Sequence, residues 1–138
     1  MTISIVIPLY NEEENVRELH SRLKPVMDSL GEEYEIIFID DGSTDNTLTL
    51  LQEIQASDDT VIVLSLRRNF GQTAAFAAGF DYSRGDIIVT MDGDLQNDPH
   101  DIPKLLELMK DNDLVSGWRK KGKTPSSQEG FPLSSPIY

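Results

Sequence analysis

The stretch that decides the fold is IIVTMDGDLQNDP, residues 87–99. It begins with apolar and β-branched residues, which predict a buried strand. The strand runs directly into Asp92, Gly93 and Asp94. Residues two apart on an extended backbone point to the same side, so we expect both carboxylates to face the same way. Gly93 between them has no side chain and lets a ligand approach the backbone closely.

A divalent cation is the simplest partner for these two carboxylates. Like charges held this close repel each other unless a positive charge lies among them. Mg²⁺ and Mn²⁺ prefer oxygen ligands and keep coordination positions open for the phosphates of a substrate. The sequence therefore predicts a Mg²⁺ or Mn²⁺ site at Asp92 and Asp94.

Three plainer interpretations of the acidic stretch compete with the metal site. A solvated acidic turn is common in an acidic protein. An EF-hand loop needs Gly at its sixth position and Glu at its twelfth, where this chain has Asn97 and Pro103. Capping of a helix after Pro99 explains Asp98 or Asp101. We favour the metal site because the acidic pair ends a buried strand in an alternating β/α chain.

The composition limits the class of protein. The chain has 138 residues, enough for one domain with a moderate core. It has no cysteine, which excludes disulfides and thiolate metal sites. The formal net charge of −12 argues against a nucleic-acid-binding surface. The sequence has no signal peptide and no apolar run of about 20 residues, so we expect a soluble, cytoplasmic protein.

Apolar strands alternate with amphipathic helices along the chain. Strands are predicted at residues 3–8, 34–40, 60–66 and 87–91, with a short fifth strand at 114–115. Helices are predicted at residues 12–30, 48–54, 73–82 and 102–109. This pattern predicts an α/β fold with a Rossmann-like, doubly wound, mostly parallel sheet. We also expect Asn11 to be the N-cap of the first helix, Gly31 to end it, and His20 and His100 to lie on the surface.

A polar cluster follows each of the four main strands. Ligands of such sheets bind beyond the carboxyl ends of the strands, at the point where the strand order reverses. Helix caps explain some of these residues, but not the Arg pair or the Asp-x-Asp. Glycine-rich dinucleotide and phosphate-loop motifs are absent, so a nucleotide would be held by side chains and metal. The clusters are Tyr10-Asn11-Glu12, Asp41-Gly42-Ser43, Arg67-Arg68-Asn69 and Asp92-Gly93-Asp94.

Four segments, IPLYNEEENV, FIDDGSTDNT, RRNFGQTAAFAAGF and MDGDLQNDP, resemble a known family. They look like the N-terminal part of inverting family 2 glycosyltransferases with the GT-A fold. The likeness is greatest to the dolichol- or polyprenol-phosphate mannosyl- or glucosyltransferase type. It extends from about residue 3 to residue 119.

The resemblance implies a metal-dependent transfer from a UDP- or GDP-sugar to polyprenyl phosphate. It implies a catalytic group of Asp92, Asp94 and Arg119, with Gln96 as a further ligand of Mg²⁺ or Mn²⁺. A lipid phosphate is already ionised near neutral pH, so it can attack the anomeric carbon without a protein base. The residues implied for the nucleotide-sugar are Pro8, Tyr10, Glu12, Ile39, Asp41, Asp92, Gly93 and Asp94.

Residues 1–119 would form the nucleotide-sugar-binding GT-A core, and residues 120–138 an irregular tail or linker. We expect the chain to be a truncated form of the fold whose exposed sheet edge favours a homo-oligomer. Full-length relatives are expected to act at the cytoplasmic face of a membrane. Two alternatives stay open: an inactive nucleotide-sugar-binding module, and a nucleotidyltransferase.

Overall fold

Four parallel strands form a single sheet in the computed structural model, which describes residues 2–95 and 98–111. The predicted helices and the four main strands are confirmed to within a few residues at each end. The predicted fifth strand, the tail, Gln96 and Arg119 lie outside the described residues. The strands are β1 (Thr2–Leu9), β2 (Glu33–Asp40), β3 (Val61–Ser65) and β4 (Ile87–Thr90). The helices are α1 (Val16–Ser29), α2 (Thr47–Ser57), α3 (Gln72–Tyr82) and α4 (Ile102–Asp111), with a 3₁₀ turn at Pro99–Asp101 before α4.

Helices cover both faces of the sheet. Alternate residues of β1, such as Ile5 and Ile7, pack with α1, α2 and α4 on one face. Val6 points to the opposite face and packs with α3. The two central strands, β1 and β2, are therefore buried on both sides, which is why their sequences read as continuous apolar runs. This arrangement confirms the doubly wound α/β prediction.

Helix α3 lies unusually close to the sheet because its residues are small. A Cβ atom added to Gly79 would lie 2.5 Å from Val6 Cγ1 and 2.8 Å from Ile39 Cδ1. These distances are shorter than a normal carbon–carbon contact, so only glycine fits there. The close packing brings the N-terminus of α3 to the carboxyl ends of β1 and β2.

The strand order β3-β2-β1-β4 contains one reversal. The chain runs outward from β1 to β2 and β3, and then returns through α3 to place β4 on the other side of β1. The carboxyl ends of β1, β2 and β4 therefore lie side by side, with the reversal between β1 and β4. Ligands of open parallel sheets bind at this position.

Two local predictions are wrong, and both errors have a tertiary cause. Asn11 does not cap α1, which begins at Val16. Asn11 has a positive φ of 53°, and its Oδ1 accepts a hydrogen bond from Thr44 N at 2.8 Å, which ties the loop after β1 to the loop after β2. His20 is half-buried rather than on the surface, because its Nε2 lies 2.8 Å from Oδ2 of the buried Asp58.

Other local predictions are confirmed. Gly31 follows the end of α1 with a positive φ of 72°, and His100 is exposed. Asp98 caps the 3₁₀ turn by accepting a hydrogen bond from His100 N at 3.0 Å. Among the described residues, none of the helices combines the length and apolar character needed to span a membrane.

Candidate functional site

A cavity of about 490 Å³ opens where the strand order reverses. Its walls come from the carboxyl ends of β1, β2 and β4 and from the loop that leads into α3. The lining residues are Pro8, Leu9, Tyr10, Glu12, Asp41, Asn69, Gly71, Gln72, Asp92, Gly93 and Asp94.

Most of the residues that the sequence predicted for the site meet in this cavity. One does not: the side chain of Ile39 is fully buried and packs with Ala75 and Phe76 beneath α3. Gln96 and Arg119 lie outside the described residues. The predicted residues that line the cavity are Pro8, Tyr10, Glu12, Asp41, Asp92, Gly93 and Asp94.

The loop after β1 presents an aromatic ring and a fixed carboxylate. Tyr10 is 45% exposed and lines the cavity. Glu12 is half-buried, and its Oε1 accepts a hydrogen bond from Asn15 Nδ2 at 2.8 Å. The backbone N–H of Glu12 donates to Thr47 Oγ1 at 2.9 Å, at the start of α2. Hydrogen bonds to Asn15, just before α1, and to Thr47, in α2, therefore hold the loop in place.

Asp41 organises the loop that joins β3 to α3. Its carboxylate is buried, with 3% of the residue exposed. Oδ1 accepts a hydrogen bond from Phe70 N at 2.9 Å, and Oδ2 accepts from Gly71 N and from Asn69 Nδ2, both at 3.1 Å. One carboxylate thus satisfies two backbone N–H groups and one side-chain amide at the edge of the cavity.

Gly42 lets this loop approach the end of β2. Its φ is +72°, a conformation that other residues rarely adopt. A Cβ atom at this position would also clash with the backbone of Arg68 and Asn69. The Asp41-Gly42 pair therefore fixes the loop by hydrogen bonding and by close packing together.

Three residues of this loop line the cavity without having been assigned a role from the sequence. They are Asn69, Gly71 and Gln72. The available signal was the polar cluster after the third strand, RRNFGQ, at the same sheet edge as the other clusters. The sequence did not reveal that Gln72 Nε2 donates a hydrogen bond to Asp92 Oδ1 at 3.1 Å.

Asp92 and Asp94 both line the cavity, and the glycine between them permits their placement. A Cβ on Gly93 would clash with Leu9 Cδ2 and lie 3.3 Å from the Pro8 carbonyl oxygen. The chain after β4 therefore folds closely over the end of β1 only because residue 93 is glycine. Asp92 is half-buried there and Asp94 is exposed.

The chemistry of this pair suits a hard cation that is shared with a ligand. Carboxylate oxygens are preferred ligands of Mg²⁺ and Mn²⁺. Within residues 2–95 and 98–111, no group of three or more His, Cys, Asp or Glu residues could hold a metal ion. Asp92 and Asp94 offer carboxylate oxygens of the kind that such a cation takes from a protein.

The sequence pattern described as Glycosyl transferase family 2 matches residues 4–134, nearly the whole chain. The chain belongs to glycosyl transferase family 2. This finding confirms the resemblance that the four sequence segments indicated.

Two similar proteins have names that combine a polyprenyl phosphate with a sugar. The chain is 44% identical over 126 residues to the dodecaprenyl-phosphate galacturonate synthase of Rhizobium johnstonii. The match covers 89% of this chain and 37% of that protein. The chain is 50% identical over 106 residues to the undecaprenyl-phosphate 4-deoxy-4-formamido-L-arabinose transferase of Pseudomonas fluorescens. The match covers 76% of this chain and 31% of that protein. The chain therefore spans about a third of the length of these relatives.

A solved structure supports the same fold class. A mannosyltransferase from Pyrobaculum calidifontis, in complex with GDP-Man and Mn²⁺, superposes with a TM-score of 0.63 at 18% identity. The match covers 81% of this chain and 33% of that one. The fold is therefore the α/β fold of GT-A glycosyltransferases, as the sequence predicted.

Proposed function

We propose that this chain forms the donor-binding part of a glycosyltransferase that uses a UDP- or GDP-sugar and glycosylates polyprenyl phosphate with inversion. The observation that carries the proposal is the shared cavity. It joins Asp92 and Asp94 to Tyr10, Glu12 and Asp41 at the reversal of the strand order, in a family 2 chain.

The nucleoside end of the donor would lie between the loops after β1 and β2. The exposed ring of Tyr10 offers a stacking surface for the base or ribose. The fixed carboxylate of Glu12 offers an acceptor for ribose hydroxyls or base N–H groups. Asp41 has two oxygens with about four acceptor positions, three of which are used by the loop, so one more hydrogen bond to the nucleotide is available.

The diphosphate end would lie over Asp92 and Asp94, which would hold Mg²⁺ or Mn²⁺ together with oxygens of the substrate. When bound, the cation supplies positive charge that stabilises the departing diphosphate. By resemblance, Gln96 would add a ligand and Arg119 a second positive charge near the phosphates.

The acceptor chemistry follows from the two relatives whose names contain a polyprenyl phosphate. A phosphate monoester has a second pKa of about 6, so it is largely ionised at neutral pH. One of its oxygens can attack the anomeric carbon while the bond to the donor diphosphate breaks on the opposite face. The nucleoside diphosphate leaves with the bonding electrons, the configuration is inverted, and no protein base is needed.

Replacing Asp94 with Asn tests the cation site, because it keeps the shape of the side chain and removes its charge. Calorimetry with UDP and GDP, each with and without Mn²⁺, should show that Mn²⁺-dependent binding weakens at least about tenfold, or roughly 1.4 kcal/mol. Asp59→Asn is the matched control, since Asp59 is exposed and precedes β3 at the opposite end of the sheet. Equal Mn²⁺-dependent binding by wild type and Asp94→Asn would contradict the cation role.

A panel of UDP- and GDP-sugars then tests the donor and the acceptor. Labelled sugar transfer to polyprenyl phosphate, with product configuration read by NMR, is the result expected of the proposed glycosyltransferase. Nucleotide binding by the purified chain without any transfer would favour the binding-module alternative.

A further inference from the structure

One contact inside the cavity has no role in the proposed function. Gln72 Nε2 donates a hydrogen bond to Asp92 Oδ1 at 3.1 Å. We propose that Gln72 is a positioning residue that orients the Asp92 carboxylate toward the cation shared with the nucleotide diphosphate. This inference rests on the proposed function of Asp92 and Asp94.

The backbone that carries Gln72 is fixed before its side chain reaches Asp92. Gln72 is the first residue of α3, and Gly71 immediately precedes it with a φ of +104°. Gly71 N donates to Asp41 Oδ2 at 3.1 Å, and the Gly71 carbonyl accepts from Ala75 N at 3.1 Å. The buried carboxylate of Asp41 therefore helps to fix the backbone at Gln72. Little backbone entropy is lost when the side-chain amide of Gln72 contacts Asp92.

The backbone around Asp92 is also fixed, which leaves the direction of its carboxylate as the main variable. Met91 N donates to the Val6 carbonyl oxygen at 3.1 Å, and Gly93 packs closely on Leu9. The hydrogen bond that Gln72 Nε2 donates to Asp92 Oδ1 restrains the direction of this carboxylate on the fixed backbone.

A neutral amide suits this task better than a charged donor. Lys or Arg at position 72 would form an ion pair with Asp92 and compete directly with a cation. The amide of Gln72 adds no charge, and an oxygen that accepts one hydrogen bond keeps a further lone pair for a metal ion. Residues that hold metal ligands in this way typically change metal affinity by about 10–100-fold when they are replaced.

The same segment links the two ends of the proposed donor site. Asp41 holds residues 69–71 at the end of β2, and the next residue reaches Asp92 at the end of β4. This connection passes across the end of β1, which lies between those two strands. The nucleoside end and the cation end of the cavity are therefore positioned by one continuous loop.

Gln72→Leu removes the amide while keeping a side chain of similar size, and Gln72→Ala removes both. We expect each variant to bind UDP or GDP about tenfold more weakly in the presence of Mn²⁺. We expect their nucleotide affinity in EDTA and their thermal unfolding temperature to match those of the wild type. Gln52→Leu, at an exposed position on α2 outside the cavity, is the matched control.

The outcomes separate this inference from the proposed function. Wild-type binding that depends on Mn²⁺, together with unchanged binding by both Gln72 variants, would overturn the role of Gln72 alone. An equal loss of affinity with Mn²⁺ and with EDTA would also overturn it, because Gln72 would then contact the nucleotide or support the loop. Wild-type binding that is indifferent to Mn²⁺ would overturn both this inference and the cation part of the proposed function.

Discussion

At the scale of single residues, Asp41 combines a structural task with the proposed contact to the nucleotide. The family resemblance implied only that Asp41 contacts the nucleotide-sugar. The structure shows that the Asp41 carboxylate is buried and accepts three hydrogen bonds from residues 69–71. Asp41 therefore also contributes to the stability of the fold.

Replacing Asp41 with Ala should lower both stability and nucleotide affinity. Two backbone N–H groups, of Phe70 and Gly71, would lose their acceptor. A typical hydrogen bond contributes about 0.5–1.5 kcal/mol, so the loss of these two part-buried bonds should lower the free energy of unfolding by roughly 1–3 kcal/mol in urea denaturation. Calorimetry should show weaker UDP or GDP binding in the same variant.

Asp59→Ala is the control for this experiment, because Asp59 is exposed and lies outside the cavity. Its free energy of unfolding should stay within about 0.5 kcal/mol of the wild type. An Asp41→Ala variant that unfolds like the wild type but binds no nucleotide would support the ligand-only interpretation instead.

At the scale of elements, a polar cluster holds α1 against the turn between α2 and β3. Oδ2 of the buried Asp58 lies 2.8 Å from His20 Nε2, and Oδ1 lies 3.2 Å from Lys24 Nζ. Asp58 Oδ1 also accepts from Thr60 N at 3.0 Å. Burial by itself would raise the pKa of the Asp58 carboxyl, but the hydrogen bonds of His20, Thr60 and Lys24 outweigh it and hold that pKa well below its ordinary value.

This lowered pKa predicts a stabilisation that acid removes. A carboxyl whose pKa is lower in the folded state contributes fully above its unfolded value, about pH 4, and loses that contribution as the pH falls further. Asp58→Asn should therefore unfold about 1–3 kcal/mol more easily than the wild type at neutral pH. The difference should shrink when urea denaturation is repeated at about pH 3.

The neighbouring substitution Asp59→Asn provides the comparison, because Asp59 is exposed while Asp58 is buried. It should change the free energy of unfolding little at either pH. If the Asp58→Asn difference were the same at both pH values, the contribution of Asp58 would come from its acceptor oxygens and not from its charge.

At the scale of the whole molecule, net charge opposes the proposed ligand. The formal net charge is −12, and a nucleoside diphosphate is also an anion. The Debye length falls from about 30 Å at 0.01 M salt to about 8 Å at 0.15 M, so salt screens this long-range repulsion. Binding of UDP or GDP in EDTA should therefore strengthen between these two salt concentrations.

Uridine and guanosine are suitable controls for this measurement, since they carry no phosphate and their binding should not change with salt. Weaker diphosphate binding at the higher salt concentration would contradict the prediction. It would indicate that local cations, such as Arg67 and Arg68 beside the cavity loop, dominate the encounter over the net charge.

Association between copies of the chain stays a prediction. Strands β3 and β4 are the outer strands of the described sheet, and the outer strand of a sheet can pair with another chain. Light scattering across a range of protein concentrations would measure it directly.

The sequence by itself determined the layers of the fold, the family and most of the cavity. Continuous apolar runs can only be buried on both faces of a parallel sheet, and the polar clusters after them must then meet at one sheet edge. That reasoning placed Asp92, Asp94, Tyr10 and Glu12 correctly in the cavity. The layers follow from these apolar runs and from helical patterns of period 3.6, and the family follows from the four segments that resemble it.

Only the tertiary structure decided which side chains hold one another. The sequence predicted Asn11 to be a helix cap, yet Asn11 bonds to Thr44, 33 residues away, and joins two loops. Gln72 and Asp92 are 20 residues apart, and no local pattern predicts their hydrogen bond. The order of the strands, with β4 beside β1, creates these pairs, because it brings together chain segments whose side-chain contacts have no signature in the sequence.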